Sequence, residues 1–314
     1  MKVFLIVNAS ASTVTPRSRV LIQRALSVQH EVTVAETARR GHATRLARGA
    51  VADGAEAVVV LGGDGTLNEA ANGLAGTDLI LGALPGGSTN VFARTIGYTN
   101  DPIDATAELL EAMSEKRFRR IGLGNANGRY FLFHVGIGFD AAVIERVERR
   151  ASLKRYAGHP LFVWTALLTW ARMSGHKSPQ FSVQFPPDST HGERRAEPPV
   201  GGYFTICLNS NPYTYLGNRA FNVDPDLTFE KGFAVTTVKS LDLMTILGIT
   251  GSAMMTGSYL RGHPRTDFRT DVRSFEVTGF GKFPYQLDGD YLGDVESLSL
   301  KHEPDMLNIF VPKV

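Results

Sequence analysis

The stretch that most constrains the fold is an apolar run, Ala57-Val58-Val59-Val60-Leu61, that breaks into Gly62-Gly63-Asp64-Gly65-Thr66-Leu67-Asn68-Glu69. Consecutive apolar residues, three of them β-branched valines, are what a strand covered on both faces requires. Leu67 to Leu74 has the makings of a helix, with Asn72-Gly73 and then Gly76 near its end. A strand, a glycine turn and a helix N-terminus therefore follow one another directly. Glycines lack a Cβ, so the turn can take positive φ and bring its backbone N–H groups close to a ligand. The helix start adds N–H donors and the positive end of a dipole. Such a site suits phosphate. A turn that only had to bend would not need the acid, hydroxyl and carboxamide of Asp64, Thr66 and Asn68 among and just after its glycines.

The same alternation surrounds this run. Lys2 to Val7 reads as a buried strand ending at Asn8, and Thr15-Pro16 starts a helix as N-cap and first helical residue. The apolar positions Val20, Leu21, Leu26 and Val28 of that helix are expected to face the sheet. Glu31 to Ala35 is a second strand with Thr37 just past its end, and Gly41 to Ala52 is a helix stopped by Asp53-Gly54. After the glycine loop and its helix come a strand over Leu79 to Leu84 and a helix over Asp104 to Ser114. Alternating strands and helices imply right-handed crossovers and a parallel sheet, whose ligands sit beyond the carboxyl ends of the strands. Asn8, Thr37, the Gly62 loop and the Pro85 loop all occupy such ends, so four separate pieces of sequence converge on one rim. The basic run Lys116 to Arg120 reads as a boundary with a solvated face, attraction to anionic lipid headgroups being the lesser alternative.

After about Ile121 the alternation stops. Tyr130–Val135, Phe181–Phe185, Tyr203–Leu208, Phe233–Val238, Phe275–Val277, Leu298–Leu300 and Leu307–Val311 read as short strands, hence an antiparallel, sandwich-like domain. Pro186 to Pro199 is polar and proline-rich, a loop. Asp242 to Arg261 is helical by spacing and expected to cover one side of the sandwich. Pro160 to Met173 is apolar nearly all round and carries both tryptophans, Trp164 and Trp170. It is too short to span a bilayer; core packing is the simpler expectation, peripheral contact with a membrane surface the alternative. A net charge of +2 and the lack of a long basic run give no reason to expect nucleic acid. The single cysteine, Cys207, excludes an internal disulfide. An N-terminus that is already a strand, with no signal-like region and no spanning stretch, leads to an expectation of cytoplasmic location, at most peripheral at the inner membrane face.

G-G-D-G-T-L-N-E followed by Leu84-Pro85-Gly86-Gly87-Ser88-Thr89-Asn90-Val91-Phe92-Ala93-Arg94 resembles the diacylglycerol kinase catalytic domain family, specifically its soluble bacterial lipid kinases. G-G-D-G-T alone is shared with NAD kinases; the following N-E and the P-G-G-S-T-N-x-F-A-R segment resemble the lipid branch. The resemblance implies an α/β fold: an N-terminal three-layer, parallel-sheet (NAD kinase-like) domain over residues 1–121, and a C-terminal antiparallel β-sandwich-like domain over residues 122–302. Residues 303–314 would return to the first domain. It implies ATP-dependent phosphorylation of a lipid hydroxyl, by family default diacylglycerol to phosphatidic acid, with ATP and Mg²⁺ as cofactors. The ATP-binding set carried over is Asn8, Ser10, Ser12, Thr37, Gly62, Gly63, Asp64, Gly65, Thr66, Asn68, Glu69, Gly87, Ser88, Thr89 and Asn90. Asp64 is the candidate Mg²⁺ ligand, since Mg²⁺ prefers hard oxygen donors. Gln286-Leu287-Asp288-Gly289-Asp290 resembles the family's D-G-E motif, which makes Asp290 the expected general base and Asp288 its competitor.

The chain departs from the pattern in several places. Asn8-Ala9-Ser10-Ala11-Ser12 lacks the proline and glycine of the family's N-P-x-S-G loop. Gly122 stands where many members carry an aspartate. Glu230-Lys231-Gly232 replaces an acidic D-D-G turn, and since lysine cannot ligate a cation no metal is expected there. Two other functions stay open: a NAD kinase-like enzyme, and a catalytically weak nucleotide- or lipid-binding protein. The particular lipid and the oligomeric state, a homodimer included, are not specified by the sequence.

Overall fold

The computed structural model describes residues 1–148, 178–186, 197–242, 248 and 262–313. They divide into two compact units, Met1–Leu123 with Glu303–Val314, and Gly124–His302. The apolar segment Pro160–Met173, nearly all of Asp242–Arg261 and most of the Pro186–Pro199 loop lie outside the described residues.

The first unit runs β1 Lys2–Val7, α1 Pro16–Ser27, β2 Glu31–Glu36, α2 His42–Ala52, β3 Ala57–Gly62, α3 Asp64–Leu74, β4 Ile80–Pro85, α4 Val91–Thr95 and α5 Pro102–Ser114. β1 pairs in parallel with β2 and β3, and β3 with β4. The Asn308–Ile309 end of the last strand adds in parallel beside β4. The strand order reverses between β1 and β3, the point at which a parallel sheet opens a crevice at its carboxyl ends. Every residue of β3 is buried. α2 and α3 pack so closely that a Cβ on Gly73 would lie 2.7 Å from both Ala47 Cβ and the Thr44 carbonyl oxygen. Gly73 therefore serves a helix–helix contact inside α3 and does not end the helix.

The N-cap sets the rotation of α1. Thr15 and Ser18 form a reciprocal capping box, which turns Ser18 inward and with it Ile22 and Leu26, four and eight residues on. Of the four apolar residues expected to face the sheet only Leu26 does; Val20, Leu21 and Val28 are 46, 42 and 80% exposed.

The basic run is neither a plain boundary nor a free face. Its last residues begin β5 Phe118–Ala126. Arg117 ion-pairs with Glu111 and Glu115 and donates to the Val311 carbonyl, while Arg120 donates to that of Asp305 and pairs with Asp78. Two of its arginines thus hold the returning C-terminal segment. Gly122 lies buried within β5.

The second unit contains β6 Arg129–Phe131, β7 His134–Gly138, α6 Phe139–Glu148, β8 Phe181–Gln184, β9 Val200–Gly202, β10 Phe204–Leu208, β11 Thr214–Leu216, β12 Arg219–Phe221, β13 Phe233–Val238, β14 Thr266–Val272, β15 Ser274–Leu287 and β16 Asp290–Phe310, the last of which leaves the unit at His302. Among the described residues, β5–β6, β7–β10, β7–β15, β8–β9, β8–β15, β10–β13, β11–β12, β13–β14 and β15–β16 pair antiparallel. The strands alternate between two apolar cores. Phe204, Ile206 and Leu208 enter one with Ala234 and Val238; Cys207 enters the other with Phe233, Val235, Val135 and Ile137. The expected strand Tyr130–Val135 is broken at Leu132-Phe133, because both backbone N–H groups there are held by Asp288. The family's acidic turn is closed here by an ammonium: Lys231 Nζ donates to the Asp226 carbonyl at 2.7 Å.

Candidate active site

The carboxyl ends of β1, β3 and β4 bring together two glycine loops and an asparagine. The Asn8 N–H donates to the Leu61 carbonyl, and Asn8 Nδ2 donates to Thr66 Oγ1 at 2.9 Å, tying β1 to the first turn of α3 across the point of strand reversal. Asn8 Oδ1 accepts from the Ser10 N–H, an Asx turn that shapes the 8–12 loop without the family's proline. The Thr37 N–H donates to the Val7 carbonyl, placing Thr37 on the same rim.

The Gly62-Gly63 and Gly86-Gly87 loops lie backbone against backbone. The Gly86 N–H donates to the Gly62 carbonyl at 2.8 Å. A Cβ on Gly86 would stand 2.8 Å from Gly62 Cα, and one on Gly87 2.9 Å from Gly63 Cα. The expectation that the first loop uses positive φ is not met. Gly63 is extended (φ −85°, ψ 177°), and none of Gly62, Gly65, Gly86 and Gly87 is among the positive-φ residues. Glycine is needed because two loops share the room of one. With glycine as its N-cap, α3 has no side-chain cap, so its first turn faces the rim as an N–H-rich, electropositive end.

Asp64 opens α3 and reaches across to α4. Its Oδ2 accepts from the Val91 N–H at 2.9 Å and its Oδ1 from the Phe92 N–H at 3.0 Å. The N-cap of α4, Asn90, makes no side-chain cap, so Asp64 performs that function from the neighbouring loop. Asp64 is thus a structural tie as well as a candidate Mg²⁺ ligand.

Three other residues assigned to ATP contact turn elsewhere. Glu69 accepts from the Gly41 and Ala43 N–H groups at 2.6 and 3.0 Å, capping α2, whose own N-cap Gly41 has no side chain. Asn68 is 2% exposed and accepts from Asn72 Nδ2. Asn90, also 2% exposed, receives the Gly87 N–H, donates to the Gly87 carbonyl and bonds Asn100, fixing the second loop from beneath. Ser10, Ser12 and Ser88 are exposed, while Asn8, Thr37, Gly63, Asp64, Gly65, Gly87 and Thr89 are half-buried along the rim, with Gly62 and Thr66 buried beneath. Sequence reasoning missed Asn100 and His42, whose Nδ1 accepts the Ala38 N–H and shapes the turn after Thr37. No spacing pattern announces either.

In the second unit Asp288 and Gly289 are the two central residues of a hairpin, at φ 49° and 84°, with Leu287 paired to Asp290. Positive φ at both positions is the demand of a type I′ turn, which Asp-Gly meets well. Asp288 is 5% exposed and accepts three N–H groups: Leu132 at 2.7 Å, Phe133 at 2.9 Å and His134 at 2.9 Å. Its own N–H donates to the His134 carbonyl. A buried carboxylate so surrounded is a fastening, which argues against its candidacy as base. Asp290 is half-buried at the start of β16. The His134 ring packs against those of Phe133 and Tyr213, tilted by 52° and 46°, and burial pushes its pKa down to about 3.

Residues 2–126 match the model of the diacylglycerol kinase catalytic domain. This part of the chain is similar to that family's catalytic domain. A "Probable lipid kinase YegS-like" protein of Chromohalobacter salexigens is 34% identical over 159 residues, an alignment that spans about half the length of each chain (49% of both). The crystal structure of a diacylglycerol kinase from Bacillus anthracis strain Sterne superposes with a TM-score of 0.66 at 18% identity, covering 99% of this chain and 96% of that one. An NAD kinase from Archaeoglobus fulgidus in complex with ATP gives 0.52 at 11% identity, covering 100% and 94%. At those identities the two structures establish the fold: a parallel-sheet unit of the kind shared by diacylglycerol and NAD kinases, joined to antiparallel strands. The glycine loops of the rim described above lie within the matched residues.

Proposed function

We propose that this chain is an ATP-dependent lipid kinase that transfers the γ-phosphoryl group to a lipid hydroxyl, with diacylglycerol as acceptor and phosphatidic acid as product. The observation that carries this is the pair of glycine loops held back to back at adjacent strand ends, facing the uncapped start of α3. Phosphoryl transfer needs positioning and charge stabilisation more than covalent chemistry, and backbone N–H groups on a rigid rim supply both. Asn8, Thr66 and the Gly62–Gly65 backbone bind the phosphates; Ser10, Ser12, Thr37, Ser88 and Thr89 orient the nucleotide around them.

The donor set suits Mg²⁺. A carboxylate offers about four lone-pair positions, so Asp64 can tie down α4 and still present a hard oxygen. Mg²⁺ bound through one or two carboxylates and the substrate phosphates needs no protein cage, and among the described residues no group of three His, Cys, Asp or Glu side chains forms one. When bound, the cation neutralises charge on the phosphates. Asp290 accepts the proton of the acceptor hydroxyl, its shorter arm doing the work of the family's glutamate. Peripheral contact with a membrane surface would deliver the acceptor; among the described residues no helix is long and apolar enough to cross one.

The test is transfer of labelled γ-phosphate from ATP to lipids in mixed micelles, with diacylglycerol, monoacylglycerol, ceramide and sphingoid bases in parallel and NAD as a further acceptor. Labelled phosphatidic acid supports the proposal. Phosphorylation of NAD alone, or ATP binding with no acceptor phosphorylated, rejects it.

A further inference from the structure

The loop between β12 and β13 carries the acids Asp224, Asp226 and Glu230, and a lysine follows them directly. It is held in one shape from three sides. Asn211 Oδ1 accepts the Val223 and Asp224 N–H groups at 3.1 and 3.3 Å. Leu227 and Phe229 are buried and anchor the loop by their apolar side chains. Gly232 lies so close to β14 that a Cβ there would stand 2.7 Å from the Val272 carbonyl oxygen, and its N–H donates to Asp271 Oδ1 at 2.8 Å. Between these fastenings the chain turns back on itself. Asp224 is 2% exposed; its Oδ1 accepts from the Asp226 N–H at 3.3 Å and its carbonyl from the Leu227 N–H at 3.1 Å.

Carboxylates and main-chain carbonyls gathered on a tight turn are the oxygen donors that hard divalent cations favour, and the family pattern that this chain resembles has a metal on an acidic D-D-G segment at this turn. The residues present do not fit one. Lys231 stands at the middle position, as Glu230-Lys231-Gly232. Its Nζ donates to the Asp226 carbonyl at 2.7 Å, and its own N–H donates to the Thr228 carbonyl at 3.2 Å. An ammonium has three donors and no acceptor, so it cannot ligate a cation, and its positive charge already sits on a carbonyl oxygen of the turn. We infer that the Lys231 ammonium takes the place of a bound divalent cation in this unit, as a tethered counter-charge that closes the turn from Asp226 to Lys231. The difference from a metal is one of mass action. A diffusible cation stabilises in proportion to its occupancy, which falls with its concentration, whereas a tethered charge is always present. Stability of this unit is therefore independent of divalent ions. Where the proposed reaction holds, the chain's need for such ions is confined to the nucleotide phosphates. Lys231 is exposed, so solvent screens the contact and its contribution is modest.

The experiment is thermal melting of the nucleotide-free full chain in EDTA and in about 10 mM Ca²⁺, well above the Kd of ~10⁻⁴–10⁻³ M at weak oxygen-ligand sites. Wild type is expected to melt at the same temperature in both, apart from any difference that Asp64→Asn abolishes. Lys231→Met keeps the stem and removes the charge, and should melt ~1–3 °C lower in both solutions. Lys231→Asp returns a carboxylate to the middle position. It should melt lowest of all in EDTA, recover by at least ~3 °C in Ca²⁺, and show by calorimetry one Ca²⁺ site more than wild type. A wild-type melt lowered by EDTA to the same extent in Asp64→Asn overturns the inference, because the second unit then holds a metal despite its lysine. Lys231→Met melting like wild type overturns it too, since the ammonium would then close nothing. So does a Lys231→Asp variant indifferent to Ca²⁺, whose turn would be no cation site. Every arm is read without ATP or lipid, so failure here is distinct from failure of the proposed reaction.

Discussion

Asp64 and Asp288 occupy matching places in the two units. Each sits beside a glycine just past a strand, and each turns its carboxylate onto backbone N–H groups distant in sequence, 27 and 28 residues away for Asp64 and 154 to 156 for Asp288. They differ in what surrounds them. Asp64 holds two donors at the start of a helix and stays half-buried on a rim; Asp288 holds three and is 5% exposed. A motif acid that ties two elements at the surface can still offer an oxygen to a ligand, whereas one that is enclosed is only a tie. In the hairpin the proposal divides the two roles between neighbours: Asp288 fastens, and the half-buried Asp290 is the proposed base.

That division is tested most severely by replacing each of the two hairpin acids in turn. Asp290→Asn is expected to lower kcat by ~10²–10⁴-fold with ATP affinity and melting temperature nearly unchanged. Asp288→Ala strips three buried N–H groups of a charged acceptor, and at ~1–3 kcal/mol for each orphaned group the unit should lose about 4 kcal/mol of stability. Urea unfolding and single-turnover assays separate the two. A stable, inactive Asp288 variant beside an active Asp290→Asn would reverse the assignment.

The glycine loops give the next effect. Gly86→Ala puts a Cβ against the Gly62 backbone at 2.8 Å, a contact that no side chain can relieve. Destabilisation of about 1–3 kcal/mol is expected, together with weakened ATP binding measured by calorimetry. Normal binding in that variant would mean that the closeness of the loops is unimportant. Asp64→Asn keeps one acceptor oxygen for α4 and removes the charge, so stability should fall by only about 1 kcal/mol while Mg²⁺-dependent transfer is lost. A large stability loss would make Asp64 a second Asp288.

The β3 run, the parallel order and the glycine turn were legible because a doubly buried strand and a phosphate-suited turn leave strong local marks. So was the Thr15-Pro16 helix start, but not the rotation of α1, since that follows from Ser18 completing the capping box rather than from apolar spacing. The positive φ expected at Gly62-Gly63 failed because the demand for glycine comes from another loop, 24 residues on, which local pattern cannot register. Glu69, Asn68 and Asn90 sit inside the motif, yet hold α2, α3 and the second loop in shape. Motif membership marks where a site is, not which side chains touch the ligand. The strand over Phe118–Ala126 was masked by the arginines at its start and just before it, which read as solvated although Arg117 and Arg120 bind carbonyls of the returning segment.

The smallest expected effect concerns the residue that Asp288 holds by its backbone. His134 is enclosed between Phe133 and Tyr213, so its imidazole is neutral in the folded protein, with burial pushing it from 6.5 to about 3. The folded value is depressed. The unfolded chain therefore takes up the proton first, and stability present above the unfolded value is lost as pH falls from 6.5 toward 3. Between about pH 7.5 and about pH 6 this one group should remove about 0.8 kcal/mol, a window in which carboxylates stay ionised and do not obscure it. Replacing His134 by Phe shifts stability at every pH but removes this contribution to the slope, leaving that of His30, whose pKa burial also lowers; urea unfolding at the two pH values measures it as a difference. An equal slope in wild type and His134→Phe would show that the imidazole reaches water before the unit unfolds, and that the turn fastened by Asp288 opens on its own.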